Sequence, residues 1–504
     1  MTLKRNIIAN YFSQFYVVII GIITLPLYLN YLGNEAYGLV GFFALMQSWM
    51  MLLDMGISPT LSREVAKFLG EKNNSRFSEF KSLLHSLEFI FIILSLIVAI
   101  VVLLISEWIS IHWLKVETLD LVTVSYCITL MGIMIGIRFL SSLYRSGISG
   151  SERQVWLSIA NSIIISLKFI GVIFILHFIS SDVRYFFQYQ LIIAILELLI
   201  LSFKFYKIIE IGRFRLYFSY KAIKPILPFA MGIAYTAGIW VLLTQLDKLL
   251  LSGILPLDEY GYFAIVAMAA NGILQLSGPI SKAILPRMTS LYTQKKEADL
   301  IKVYKKSTQL VSVLVLSIVA IVGFYSYELL YSWTGNIEAS IWGKDILFWY
   351  IMGNGILAIS AFQYYLQFAY GELKMHVQYN TISVLISVPI VIWAAYSYAA
   401  IGVAIVWFVF RLISFLIWVP IVHHKFVPGI HKDWIMKDIF PVFITTIIFM
   451  LIINYVNLSF EYDRIVIFLL LIAIGLILLI LNSFVATEGR KMIMKIIMKK
   501  KNDK

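Results

Sequence analysis

Leu32-Gly33-Asn34-Glu35-Ala36-Tyr37-Gly38 separates two long apolar runs, and 223 positions on Leu255-Pro256-Leu257-Asp258-Glu259-Tyr260-Gly261 does the same. At that offset Ser58 also matches Ser281 and Leu61 matches Ile284. Each following run enters a long basic segment, Arg63 to Lys81 and Arg287 to Lys306. A short motif ending in Tyr-Gly recurs by chance, but one that recurs in the same place relative to its flanking runs indicates an internal repeat.

The runs themselves are membrane spans. Hydrophobic residues make up 61% of the 504 and charged ones 14%, against roughly 45–50% and 25% in soluble domains. A spanning helix needs about 20 mainly apolar residues, whereas barrel strands alternate over about 10. Continuous stretches such as Ile7 to Leu29 and Ile465 to Val485 therefore predict helices. Segmentation gives fourteen, near 7–29, 37–60, 83–105, 120–145, 156–178, 185–203, 225–251, 260–281, 309–331, 346–370, 376–396, 400–422, 438–457 and 465–486. Lys4 and Arg5 before the first run imitate a secretory signal, but that run is too long, carries Asn10, Ser13 and Gln14, and lacks a small-residue cleavage site.

Basic residues fix the orientation. With the N-terminus inside, 33 of the 41 Lys and Arg fall on the inner side and four, Lys115, Arg184, Lys344 and Arg464, on the outer. This satisfies the positive-inside rule with both termini cytoplasmic. Six helices separate the two motifs, so the halves point the same way and are related by an axis along the membrane normal. The expected fold is all-α and polytopic. It comprises a six-helix lobe over 1–220, a second over 221–425, and two further helices with a basic tail over 426–504, with a substrate cleft between the lobes. The net charge of +13 is juxtamembrane and suits anionic lipid, so nucleic acid is not the expected partner. Arg490 to Lys504, with Met492, Ile493, Ile496, Ile497 and Met498 among its lysines, reads as an interfacial amphipathic helix.

Leu32 to Gly41, then Leu53-Asp54-Met55-Gly56-Ile57-Ser58-Pro59-Thr60-Leu61-Ser62-Arg63, resembles the N-terminal signature of bacterial polysaccharide (O-antigen) flippases. Gln245-Leu246-Asp247-Lys248-Leu249-Leu250-Leu251 resembles that family's seventh-span motif. The resemblance implies the multidrug/oligosaccharidyl-lipid/polysaccharide exporter superfamily and a bacterial inner-membrane protein of O-antigen or capsule-type polysaccharide biosynthesis. Such a protein moves undecaprenyl-pyrophosphate-linked oligosaccharide to the periplasmic leaflet by alternating access. The implied partners are membrane lipid and the polyprenyl-pyrophosphate-linked glycan, together with a polysaccharide polymerase and a chain-length regulator. The alternative is a cation-coupled multidrug exporter of the same superfamily, whose substrates a positive cavity repels.

Four cations remain inside spans: Arg138, Lys168, Lys248 and Arg411. Each costs about 2.5–3.5 kcal/mol or more at mid-membrane. Arg138 shares a helical face with Ser141, Ser142 and Arg145, a polar stripe opening toward the cytoplasm. Lys168 and Arg411 lie near the middles of the fifth and twelfth spans, while Lys248, beside Asp247 near the outer end of the seventh, is able to snorkel or pair locally. Two readings stand. These cations line a cavity for an anionic head group, since guanidinium forks and ammonium groups suit pyrophosphate. Or they pair structurally, Lys168 or Arg138 with Glu197 or Asp54. Asp54 either caps a helix break at Gly56 to Pro59 or neutralises a cation. Glu197 and Asp247 are the carboxylates placed to carry a coupling proton. Gln363, Tyr364 and Gln367, near Tyr365 and Tyr370, offer a sugar-facing wall, against a default of packing and interface anchoring. Pro26, Pro225, Pro228 and Pro389 are candidate kinks.

Other chemistries lack their residues. No Gly-x-x-x-x-Gly-Lys-Ser/Thr loop occurs, so ATP is not hydrolysed by that route and a secondary transporter is expected. No Asp-x-Asp or Asp-Asp cluster is present to hold a divalent cation. With outer loops of about 14 residues at 106–119 and 332–345, this disfavours a membrane glycosyltransferase or polymerase, and no enzymatic activity or cofactor is expected. His423, His424 and His431 read as a solvated cytoplasmic loop ahead of a metal site, and the single Cys127 as a buried hydrophobe.

Overall fold

The computed structural model describes residues 3–54, 56–70, 74–210, 217–456, 458, 460–487 and 490. The expected amphipathic tail helix lies almost wholly outside them. All described regular structure is helical apart from one isolated bridge between Lys115 and Pro256. The chain forms two compact units, Met1–Gly261 and Tyr262–Lys504.

The first unit contains α1 (Leu3–Leu32), α2 (Asn34–Leu53), α3 (Ile57–Gly70), α4 (Asn74–Trp108), α5 (Leu121–Gly150), α6 (Gln154–Ser166), α7 (Val172–Phe178), α8 (Val183–Ile209), α9 (Tyr220–Ile223) and α10 (Leu227–Ile254). It runs past the expected boundary at 220 because α10 packs on α2 and α3. α11 (Leu257–Thr293) starts in this unit and continues into the second, which holds α12 (Glu297–Phe324), α13 (Ser326–Thr334), α14 (Ile337–Ala369), α15 (Lys374–Phe426), α16 (Ile430–Trp434), α17 (Phe440–Val456) and α18 (Arg464–Val485). Eleven described helical stretches are long and apolar enough to cross a membrane. The expected fourteen are recovered because α15 holds two spans, joined at Ala399 with φ 49° and ψ −138°, and because α2 and α8, of 20 and 27 residues, complete the set.

Several spans are broken rather than straight. The expected second span ends at Leu53, where the Asp54 carboxylate accepts the Ser58 N–H at 3.2 Å and begins α3. Of its two open roles, Asp54 takes the cap. Gly56 sits at φ +68°, and a Cβ there would lie 2.5 Å from the Ala230 carbonyl oxygen, so glycine is required twice over. α3 then buries Ile57, Leu61, Val65 and Phe68 along one face, the helical spacing of an amphipathic segment. The fifth span passes through a π turn, Leu167–Gly171, between α6 and α7. A π turn frees carbonyls from the regular ladder, and here Tyr189, Gln190 and Tyr28 donate to the Leu167, Lys168 and Phe169 oxygens at 3.0, 2.9 and 2.8 Å. Pro228 starts α10 rather than kinking it, its missing N–H being unneeded in a first turn.

The Tyr-Gly repeat has a packing cause. A Cβ on Gly38 would overlap the Leu257 carbonyl, and one on Gly261 would lie 2.9 Å from the Asn34 oxygen and 3.1 Å from the Gly38 nitrogen. The two motifs thus meet backbone to backbone. The segment after α4 locks them: Glu35 accepts the N–H groups of Glu117, Thr118 and Leu119 at 2.5, 2.9 and 2.7 Å. Leu257 donates its N–H to the Lys115 carbonyl at 2.9 Å.

In the second unit the two C-terminal spans are pinned by one buried amide. Asn482 in α18 donates to Ser317 of α12 and Thr446 of α17, both at 2.9 Å, the small-polar glue of membrane interfaces.

Candidate functional site

The polar interior of the first unit is assembled from five spans. α5 carries Arg138 into a buried position, where its guanidinium donates to Gln47 of α2 and, at 3.3 Å, to Gln190 of α8. Its Cζ lies 5.0 Å from the centroid of the Phe43 ring, a cation–π contact. Its Nε has no hydrogen-bond partner among the described residues. Among the described residues no carboxylate touches Arg138, though Glu197 lies within its electrostatic reach.

Gln190 links Arg138 to the π turn by donating to the Lys168 carbonyl at 2.9 Å. Lys168 is half-buried, and its ammonium makes no ion pair among the described residues. Arg138, Arg145 and Glu197 all lie within its electrostatic reach. Glu197 of α8 instead pairs with Arg145, two turns along α5 from Arg138, while Arg145 also donates to Asn161 at 3.0 Å. Asn161 and Ser162 of α6 continue to Ser13 of α1, both at 3.3 Å. Toward the end of α5, Ser142 faces Ser58 at 3.4 Å and Ser146 donates to the Ser58 carbonyl at 2.5 Å. The stripe expected on α5 is therefore a polar seam running from Arg138 to Ser146. Among the described residues three cations share it with one contacting carboxylate.

The other sequence candidates sit elsewhere. In α10, Lys248 Nζ donates to the Thr244 carbonyl at 2.6 Å and lies 3.4 Å from the buried Asp247 carboxylate, the local pair that its sequence neighbours allowed. In α15, Arg411 is buried with its Cζ 4.1 Å from the Trp407 ring centroid. Trp407 donates to Asn354 at 3.0 Å, and Asn354 in turn donates to the Ala270 carbonyl at 2.8 Å. The second unit thus has its own buried cation on an aromatic and amide platform. In α14, Gln367 is fully buried and donates to Gln363 at 2.6 Å, while Tyr364, half-buried, packs on His376 with ring centroids 4.5 Å apart.

Sequence reading passed over one cluster and misplaced another. Glu88, fully buried in α4, accepts from Tyr206 at 2.6 Å and Tyr144 at 3.1 Å, and lies 3.1 Å from His85 Nδ1. It ties α4, α5 and α8 together. The signal is present in the sequence as His85 and Glu88, three apart within an apolar run. His423 is not in a solvated loop. It is fully buried at the end of α15, 2.6 Å from the Tyr304 hydroxyl, 2.9 Å from His431 and edge-on to Trp434. The helix simply continues past the expected end at 422, and only His424 of the three is exposed.

Solved structures of similar fold are transporters. One described as lipid II flippase MurJ in an inward closed conformation has a TM-score of 0.73 at 17% identity, covering 96% of this chain and 99% of that one. An inward-facing multidrug resistance MATE family transporter of the MOP superfamily has 0.63 at 13%, covering 83% and 96%. A MOP superfamily transporter from Pyrococcus furiosus has 0.53 at 12%, also covering 83% and 96%. At such identities the likeness concerns the fold. No curated protein matches the chain. Residues 3–292 match the family described as "Polysaccharide biosynthesis protein". That match takes in the whole polar seam and both copies of the repeat, and on it the chain belongs to the polysaccharide biosynthesis protein family.

Proposed function

We propose that this protein is a flippase, not an enzyme, moving undecaprenyl-pyrophosphate-linked oligosaccharide from the cytoplasmic to the periplasmic leaflet of a bacterial inner membrane. The observation that carries this reading is the surplus of cations in the polar seam. Arg138 rests on two glutamines and a phenyl ring instead of a carboxylate, and Lys168 stands beside it without an ion pair among the described residues. A structural cation in a membrane interior is normally paired. One held by neutral amides keeps its charge available, and a pyrophosphate supplies the missing anion through charge-assisted hydrogen bonds. Arg138 and Lys168 of the first unit would engage the head group, and Arg411 would offer a cation in the second, with Lys248 already balanced by Asp247. The interior would open to the two membrane faces alternately while the polyprenyl chain stays in lipid.

The same surplus argues against the other reading, a multidrug exporter of organic cations, because like charges at close range in a low dielectric repel strongly. Deletion of the gene tests the proposal in cells. Lipid-linked repeat units should accumulate on the inner leaflet, and unchanged surface glycan with no such accumulation would rule it out.

A further inference from the structure

A cavity of about 680 Å³ opens in the first unit between α3, the start of α4 and the α9 to α10 junction, away from the buried seam. Its volume falls within the roughly 300–1,000 Å³ typical of small-ligand sites. Its walls combine cations, carboxylates, hydroxyls and aromatic rings. Lys221, from α9, is exposed into this space and makes no ion pair among the described residues. Arg63, on α3, is held with its Cζ 4.7 Å from the Phe229 ring centroid, and among the described residues its N–H edge meets no carboxylate. Lys67 is balanced by Glu64 at 2.6 Å. Two cations on different helices therefore remain for an oxyanion.

The rest of the wall is not an anion site. Phe229 presents exposed aromatic surface, the Ser82 hydroxyl both donates and accepts, and the Glu79 carboxylate accepts. A ring beside hydroxyls and a carboxylate suits a sugar, whose C–H faces stack on aromatics and whose hydroxyls donate to carboxylates. A bare phosphate would leave that half unused. Thr60, also in the wall, is two residues from Ser58, whose carbonyl and hydroxyl meet Ser146 and Ser142 at one end of the seam.

We propose that this cavity binds a phosphorylated saccharide, with Arg63 and Lys221 on the phosphate and the Phe229, Ser82 and Glu79 wall on the sugar, as a receiving site from which the head group passes into the seam. The passage rests on the transport reading above; the ligand class rests on the cavity alone.

The test uses the full chain in nanodiscs, with Ser82→Cys as reporter and the buried Cys127 replaced by Ser. Maleimide labelling is followed with four probes: uridine diphosphate N-acetylglucosamine as a soluble diphosphosaccharide, inorganic pyrophosphate, free N-acetylglucosamine, and phosphatidylglycerol in place of phosphatidylcholine. The diphosphosaccharide should slow labelling at about one-tenth the concentration needed of pyrophosphate or sugar. Arg63→Ala and Lys221→Ala should each raise that concentration about tenfold, as expected for a lost charge-assisted hydrogen bond. Protection by pyrophosphate alone at equal concentration, or by phosphatidylglycerol alone, would overturn the proposal. So would labelling that no probe alters while transport is intact. Protection that persists in a chain shown not to move lipid-linked glycan would support the cavity and refute the transport reading instead.

Discussion

Replacing Arg138 with Met keeps much of the side chain's length and removes its charge, which separates a substrate cation from a structural one. Two groups of terms oppose each other in the folded protein. Gln47 and Gln190 each lose a donor, and an unsatisfied buried acceptor costs about 1–3 kcal/mol. Gln47 is only half-buried, which favours the lower end for it. The contact with Phe43 contributes about 0.5–2 kcal/mol. Against these, the membrane interior no longer holds a cation, a relief of about 2.5–3.5 kcal/mol or more. The terms largely cancel, leaving a net destabilisation of at most about 3.5 kcal/mol, so folding and membrane insertion should survive. Transport should not. A lost charged hydrogen bond to pyrophosphate is worth about 1.5–3 kcal/mol, or roughly ten- to 150-fold in apparent affinity. Arg138→Lys should recover only part of this, because an ammonium lacks the planar fork. The assay pairs thermal unfolding of the purified protein with glycan-lipid translocation in proteoliposomes at matched protein levels. A Met variant that unfolds many degrees earlier yet transports normally per folded molecule would refute the reasoning and make Arg138 a structural residue.

Other positions give independent checks. Gly38→Ala drives a methyl group into the Leu257 carbonyl, and overpacking of about 1–3 kcal/mol should lower the melting temperature, with Gly261→Ala behaving alike. Glu197→Gln leaves Arg145 without its carboxylate. With the Arg145 side chain one-third exposed, the cost should be about 1–2 kcal/mol, below that of a fully buried pair, and a double-mutant cycle with Arg145→Ala should show coupling of that size. Asn482→Leu removes both bonds from α18 to α12 and α17. It should raise protease sensitivity of the C-terminal spans by loosening contacts worth about 0.6 kcal/mol each, while transport by the first unit's seam is retained.

Much of this molecule is legible in its sequence, because apolar length and cation placement are one-dimensional signals. The fourteen spans and the repeat follow from them. The repeat's cause does not: only packing reveals that Gly38 and Gly261 are small because their backbones touch. Asp54 was legible as an either-or, since a carboxylate before Gly-Ile-Ser-Pro is equally a cap or a counter-charge until the Ser58 N–H is seen to point at it. The seam was half visible. Arg138, Ser142 and Arg145 follow from helical spacing, but Gln47, Asn161 and Gln190 come from three other helices, and neutral amides do not stand out in a tally of charge. Glu88 escaped for the opposite reason. A carboxylate near a span's end looks like ordinary interface polarity, and only the tyrosines brought by α5 and α8 show it to be buried.

The central claim is that the surplus positive charge of the seam exists to carry an anionic head group across the membrane. The most direct measurement reconstitutes the purified protein in liposomes and compares translocation of a fluorescent polyprenyl-pyrophosphate-linked saccharide with that of a lipophilic organic cation. The account predicts movement of the glycan lipid, lost in Arg138→Met, and none of the cation. Export of the cation with the glycan lipid left in its original leaflet would contradict it.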